Sequence, residues 1–221
     1  MVVGNGIISN IFKNKYEYDN NYLIFSSGVS DSNETDIKQY KKEEDLLFNY
    51  IKDFPSYKFI YFSSVLLESD TPYFKHKKNI ESIIINNCES YLIFRLPQIF
   101  GKGGNKNNIV NYFRECIYNN IIIKCQQETY RSIIDIEDLY NIIDYCIKES
   151  NIILNISYIE RISIKDLIFI MSEIMNKNAL ITNIAAGYSL DIENSEIINI
   201  AINNLKIDRN NYTKKIIKKY I

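Results

Sequence analysis

Tyr73-Phe74-Lys75-His76-Lys77 places a phenol and an ammonium four residues apart. On a helix that spacing puts both on one face. A phenol ionises near pH ~10 and a cation beside it favours the phenolate, so Lys77 is expected to lower the Tyr73 pKa into a range useful for general acid–base work. In a chain with 18 tyrosines the pattern also arises readily by chance, and its plain alternative is a solvated helix face. The surroundings favour chemistry. Upstream of Tyr73, Ser63-Ser64 closes the strand-like run Phe59-Ile60-Tyr61-Phe62. A hydroxyl at Ser64 can hydrogen-bond the substrate oxygen that Tyr73 protonates or deprotonates.

A second motif stands at the start. Gly4-Asn5-Gly6 follows the apolar Met1–Val3 and opens a segment with helical periodicity at Ile7, Ile8, Ile11 and Phe12. Glycines there allow a tight turn and let the backbone N–H groups from Gly4 to Ile8 approach a pyrophosphate at the helix N-terminus. Ser9 takes the third small position of G-x-G-x-x-G, and an ordinary strand-to-helix turn fits the motif equally well. His76 is the only histidine and is expected to be a non-catalytic helix residue. One histidine and no ligand cluster argue against a zinc enzyme or a serine protease.

These residues must be held by an α/β scaffold. Strand-like runs at Tyr22–Phe25, Lys58–Phe62, Tyr91–Leu96, Ile121–Cys125 and Ile152–Ile156 alternate with helical patterns at Asp36–Asp53, Phe74–Asn87, Ile109–Asn119, Ile136–Lys148 and Ser163–Asn176. Isoleucine is abundant enough to make helices look strand-like, so periodicity outranks propensity in this reading. The segment Gly101–Asn108 reads as a loop, and the tail from Ser195 as helical, ending in the basic stretch Lys214–Lys219. That stretch is expected to be a solvated helix end. Residues 1–100 are expected to form the cofactor-binding core, and 101–221 the remaining core elements interleaved with a small substrate lobe.

A length of 221 residues and a hydrophobic fraction of 46% suit a single globular unit. The net charge of −1 supplies no global field to attract nucleic acid, and no motif supports such binding. No apolar run approaches the ~18–20 residues needed to span a bilayer, and nothing marks the N-terminus for export. Cys88, Cys116, Cys125 and Cys146 show no metal-ligand spacing and read as idle thiols, so the expected location is the cytoplasm.

Strand, Ser-Ser, loop and Y-x-x-x-K in that order resemble the short-chain dehydrogenase/reductases, and further segments resemble their extended branch of sugar-nucleotide epimerases, dehydratases and reductases. Ser27-Gly28-Val29-Ser30 is similar to the small-residue turn that closes the fourth strand against the cofactor. Tyr73 to Glu81 is similar to Y-x-x-x-K-x-x-x-E. Phe94-Arg95-Leu96-Pro97-Gln98-Ile99-Phe100-Gly101 resembles R-x-x-N-x-Y-G, and Tyr130 to Asp138 resembles R-D-F-I-x-V-x-D-D. Asn155-Ile156 is similar to the strand that follows.

The resemblance implies a Rossmann-like parallel sheet flanked by helices, an NAD or NADP cofactor and a nucleotide-activated sugar as substrate, in surface-polysaccharide synthesis. It implies Ser64, Tyr73 and Lys77 as the catalytic set. Gly4, Asn5, Gly6, Ile7, Ile8, Ser27, Gly28, Ser63, Tyr73, Lys77 and Pro97 would contact the cofactor. Ser64, Gln98, Asn108 and Arg131 would contact the substrate, with Arg131 on the diphosphate. The loop residues Lys102, Lys106, Asn107 and Asn108 are further phosphate candidates, although a solvated loop explains them better. A homodimer through the helices Phe74–Asn87 and Asp36–Asp53 is also implied.

The chain departs from the family between the glycine turn and Tyr22, where extended members fit two more strands. A trimmed sheet of about five parallel strands is expected. The position that distinguishes NAD from NADP is missing, much of the adenosine pocket goes with it, and Lys13, Lys15 and Asp31 are the substitutes at hand. This trimming motivates a second reading, a sugar-nucleotide-binding or partner subunit that has lost the cofactor.

Overall fold

The computed structural model describes residues 1–102, 108–126, 128–185 and 192–221. Its core elements are β1 (Val2–Val3), α1 (Ile7–Tyr16), β2 (Tyr22–Phe25), α2 (Ile37–Asp53), β3 (Lys58–Ser64), α3 (Pro72–Asn87) and β4 (Tyr91–Leu96). After them come β5 (Gln98–Phe100), α4 (Ile109–Asn119), β6 (Ile123–Gln126), β7 (Tyr130–Asp135), α5 (Ile136–Cys146) and β8 (Ile152–Asn155). The chain finishes with β9 (Arg161–Ser163), α6 (Ile164–Met175), β10 (Ile181–Ile184), α7 (Glu196–Asn204) and α8 (Tyr212–Tyr220).

Five strands form one parallel sheet in the order β1-β2-β3-β4-β8. Its strands read as continuous apolar runs because both faces are covered, as parallel sheets require. Alternate residues serve opposite faces. Ile24, Ile60, Phe62, Leu92 and Phe94 pack with Phe12 of α1 and with Leu139 and Ile143 of α5. Leu23, Phe25, Phe59, Tyr61 and Ile93 pack with Leu47 of α2 and with Ile80 and Ile84 of α3. The trimmed five-stranded sheet expected from the short first gap is therefore present, with β1 at its edge.

Gly4 links β1 to α1 at φ +126°, a region that L-residues rarely adopt. A Cβ there would lie 2.6 Å from Ser9 Oγ and 2.8 Å from the Ser26 carbonyl oxygen. Gly4→Ala is expected to destabilise the protein by about 1–3 kcal/mol, read as a lowered midpoint in urea.

A second, smaller set of strands stands over the carboxyl ends of the main sheet. β5 pairs parallel with β7, β7 pairs antiparallel with β9, and β10 pairs parallel with β6. The C-terminal helix braces this set. Lys219 Nζ donates to the buried Asp135 at 2.9 Å and the Tyr220 hydroxyl donates to the same carboxylate at 2.9 Å. The Tyr212 hydroxyl donates to Asp138 at 2.7 Å and accepts the Asp135 N–H. The basic tail, expected to be solvated, thus has one lysine committed to holding the end of β7.

Several boundaries differ from the sequence reading by one or two residues, those of α3 and β6 among them. α3 begins at Pro72 rather than Phe74, because Thr71 caps it and Pro72 sits in its first turn, a natural helix start. β6 begins at Ile123, leaving Ile121 and Ile122 exposed. The four cysteines are free, and no helix among the described residues is long and apolar enough to cross a membrane.

Candidate active site

A cavity of about 810 Å³ opens where β2, β3 and β4 end. That is where parallel α/β sheets bind ligands, since strand ends and helix N-termini converge there. Ser63, Ser64, Tyr73 and Lys77 line it together, as do Ile7, Ile8 and Gly28. Pro97, Gln98, Asn108 and Arg131 also face it. Gly4, Asn5, Gly6, Ser27 and Lys102 are not on its walls. Gly4 packs against Ser26, which is. Lys106 and Asn107 lie outside the described residues. Of the three adenosine-side candidates, Asp31 lines the cavity, Lys15 is paired with Asp144 at 2.6 Å, and Lys13 reaches Asn5 at 3.2 Å.

The Tyr73–Lys77 pair is arranged differently from the expectation. The Lys77 ammonium stands 5.7 Å from the centre of the Tyr73 ring. It donates instead to the Tyr61 hydroxyl at 2.8 Å and to Glu43 Oε1 at 3.3 Å. Burial raises the Tyr73 pKa above the ordinary tyrosine value, and the negative charges of Glu43 and Asp31 push it further. The net shift of Tyr73 is therefore upward in this structure, where the sequence reading expected a downward one. The Lys77 charge is already compensated by a carboxylate from a different helix.

Glu43 is the residue that sequence reasoning missed. It lies in the charged run Lys41–Asp45, yet it is only 4% exposed. Tyr40, Glu43 and Leu47 are the buried positions of α2, spaced three and four apart, so Glu43 occupies the apolar stripe. Its carboxylate accepts the Val29 N–H at 2.8 Å and the Tyr61 hydroxyl at 3.1 Å. It also bonds His76 Nε2 at 2.9 Å. Desolvation pushes its pKa up, but the Lys77 charge and the His76 and Val29 hydrogen bonds outweigh that and hold it at about 2. A Cβ on Gly28 would lie 2.4 Å from Glu43 Oε1, so glycine is needed there for the carboxylate to fit. His76 is buried and stacks on Tyr40 with ring centres 4.6 Å apart, which makes it part of the same network.

Two motif fragments read separately in the sequence hold each other. Arg95 Nε and Nη2 donate to the two oxygens of Glu81 at 3.0 and 2.7 Å, a bidentate pair that ties α3 to β4. This fixes the helix carrying Tyr73 against the sheet.

The wall built by β7 and β9 carries two arginines. Arg131 lines it, with Nη1 donating to the Tyr130 carbonyl at 2.9 Å. Arg161, which the motif reading did not single out, lies over the Tyr158 ring at 4.1 Å and pairs with Glu193 at 3.4 Å. It enters the site because β9 pairs with β7 in the register Ser132↔Arg161, a neighbourhood no local pattern reveals. Three buried polar atoms on the cavity's lining residues find no hydrogen-bond partner among the described residues: Ser63 Oγ, Asn108 Nδ2 and Ser132 Oγ. Ser64 Oγ accepts the Leu66 N–H at 3.2 Å, which leaves its own proton free to donate.

No protein-family model matches the sequence, and a search of curated proteins finds no relative. Solved structures do share the fold. The dTDP-glucose 4,6-dehydratase of Bacillus anthracis, in complex with NAD, superposes with a TM-score of 0.70 at 11% identity, covering 98% of this chain and 77% of that one. The UDP-N-acetylglucosamine 4-epimerase of Methanobrevibacter ruminantium, in complex with UDP-N-acetylmuramic acid, gives 0.67 at 15% identity, covering 98% and 80%. RMD from Pseudomonas aeruginosa, complexed with NADPH, gives 0.71 at 12% identity, covering 98% and 84%. The chain thus has the fold of the enzymes that its motifs resemble, in a shorter form.

Proposed function

We propose that this chain is an NAD- or NADP-dependent enzyme that epimerises or reduces a nucleotide-activated keto-sugar of the kind used in surface-polysaccharide synthesis. The observation that carries this reading is that one cavity joins Ser64, Tyr73 and Lys77 to the arginines of β7 and β9. The neighbours' bound NAD, NADPH and nucleotide sugar support it.

The residues fit a dinucleotide in part. Gly6 caps α1 without a side chain to occupy the first-turn N–H groups, and a Cβ there would meet nothing within 4 Å. That is an open cradle for a pyrophosphate. Ile7, Ile8, Ser63 and Pro97 would line the nicotinamide half. The adenosine half has little support, because β1 is the sheet edge. A cofactor affinity weaker than that of a full-length sheet follows.

When bound, the nicotinamide supplies or accepts a hydride. Tyr73 exchanges a proton with the sugar oxygen, Ser64 donates a hydrogen bond to that oxygen, and Lys77 stabilises the phenolate left after proton donation. Gln98, Asn108 and Ser132 offer polar contacts to the sugar. Arg131 and Arg161 would take the diphosphate, whose geometry a guanidinium fork matches. Arg131→Ala and Arg161→Ala are each expected to weaken binding of UDP or dTDP by about tenfold or more, since hydrogen bonds to charged groups contribute about 1.5–3 kcal/mol. Calorimetric titration reads this, and unchanged affinities would remove the two arginines from the substrate site.

A homodimer through α2 and α3 belongs to the same reading. Phe48 and Ile85 leave apolar surface exposed on these helices. Light scattering is expected to give twice the chain mass, and a monomer would refute the pairing.

A further inference from the structure

The titratable groups around Tyr73 come from four directions, one of them β3 with the Tyr61 hydroxyl. α3 contributes Lys77 one turn away, α2 contributes Glu43 and the Tyr40 hydroxyl, and the segment after β2 contributes Asp31. Glu43 in turn meets Lys77 and His76 from α3, Tyr61 from β3 and the Val29 N–H, with Glu44 on the far side of His76 at 3.6 Å. Glu43 is not on the cavity wall. It sits behind Gly28 and acts on Tyr73 through its hold on Lys77 and through its own negative charge.

We propose that Glu43 is a positioning residue that anchors the Lys77 ammonium on Tyr61 and offsets its charge, so that Tyr73 enters the reaction as a proton donor. The inference rests on the reading of Tyr73 as the general acid or base, and adds the form in which it starts. A lysine free of a counter-ion would favour the phenolate and hence abstraction of a proton from a sugar hydroxyl. A lysine held by a carboxylate leaves the phenol intact, which suits protonation of a ketone oxygen. In that step the C=O π bond breaks, the carbonyl carbon receives hydride from the reduced nicotinamide, and the oxygen receives the Tyr73 proton. The ketone would be reduced to an alcohol at the expense of a bound reduced nicotinamide, and the Tyr73 phenolate would recover its proton from water. The resting site thereby already holds the proton that reduction of a ketone consumes.

The test reads Tyr73 itself, in the protein without ligand. Tyrosine labelled with ¹³C at Cζ is titrated by NMR, and the Tyr73 resonance is assigned by its loss in Tyr73→Phe. Glu43→Gln is expected to lower the pH at which Tyr73 ionises by about one unit, the effect of a unit charge roughly 12 Å away at an effective dielectric of about 20. An unchanged titration overturns the proposal. If Glu43→Gln does not fold, the wild-type protein still decides. Its Lys77 ammonium, assigned by loss in Lys77→Arg, is expected to be protected from exchange with water, and a freely exchanging ammonium overturns the anchor. Neither measurement depends on turnover, so a failed enzyme reading would show separately as a Tyr73→Phe protein with full activity.

Discussion

Tyr73→Phe is expected to fold as the wild type does and to lose about 10²–10⁴-fold in kcat/KM, the contribution typical of a positioned general acid or base. The substitution deletes one hydroxyl. The ring remains, with its contacts to Phe74 at 5.0 Å between centres and to the Lys77 ammonium. Stability should therefore change little, and circular dichroism with thermal melting checks that the loss is chemical. Because the hydroxyl acts on a reacting oxygen, kcat should carry most of the effect and KM little of it. Lys77→Met is not an equivalent control, because it takes away the ammonium that Glu43 faces in the protein interior.

That asymmetry defines the second large effect. Glu43→Ala is expected to destabilise the fold by about 3–5 kcal/mol, the usual result of removing one partner of a buried ion pair. Lys77 and the Tyr61 hydroxyl would be left in apolar surroundings with fewer partners, and the Val29 N–H would lose its acceptor. The same network sets a pH dependence. The Glu43 pKa is held at about 2 in the folded protein, against an ordinary carboxylate value of 4.5. A depressed folded-state pKa contributes stability that is complete above the unfolded value and is lost as pH falls through the folded one. On the order of 3 kcal/mol should therefore disappear between about pH 4.5 and 2. Urea denaturation at a series of pH values measures it. Glu43→Gln should flatten that part of the profile, and an undiminished slope would assign the acid sensitivity to other carboxylates.

Much of the scaffold was legible because it is local. The apolar runs at Tyr22–Phe25 and Tyr91–Leu96 are strands buried on both faces, and the short first gap correctly implied a trimmed sheet of about five parallel strands. Ser64, Tyr73 and Lys77 could be placed in one site because a strand end and a helix turn fix them. What escaped depends on contacts between distant segments. Glu43 reaches Lys77 across 34 positions of sequence, and its neighbours Lys41, Lys42, Glu44 and Asp45 disguise it as one more solvated charge. Only its spacing from Tyr40 and Leu47 marks it as inward-facing. The misjudged direction of the Tyr73 shift follows first from its burial, which no local pattern reveals, and then from the missed carboxylate. Arg161 and the Lys219–Asp135 tie were hidden for the same reason.

The central claim is that the cavity takes a nicotinamide dinucleotide despite the trimmed sheet, and titration of the purified protein with NADH and NADPH separately, followed by nicotinamide fluorescence and thermal shift, tests it most directly. Saturable binding of at least one of the two, with a raised melting temperature, is the expected result. A folded protein that binds neither, while still binding a nucleotide sugar, would contradict the enzyme reading and leave a sugar-nucleotide-binding or partner subunit in its place.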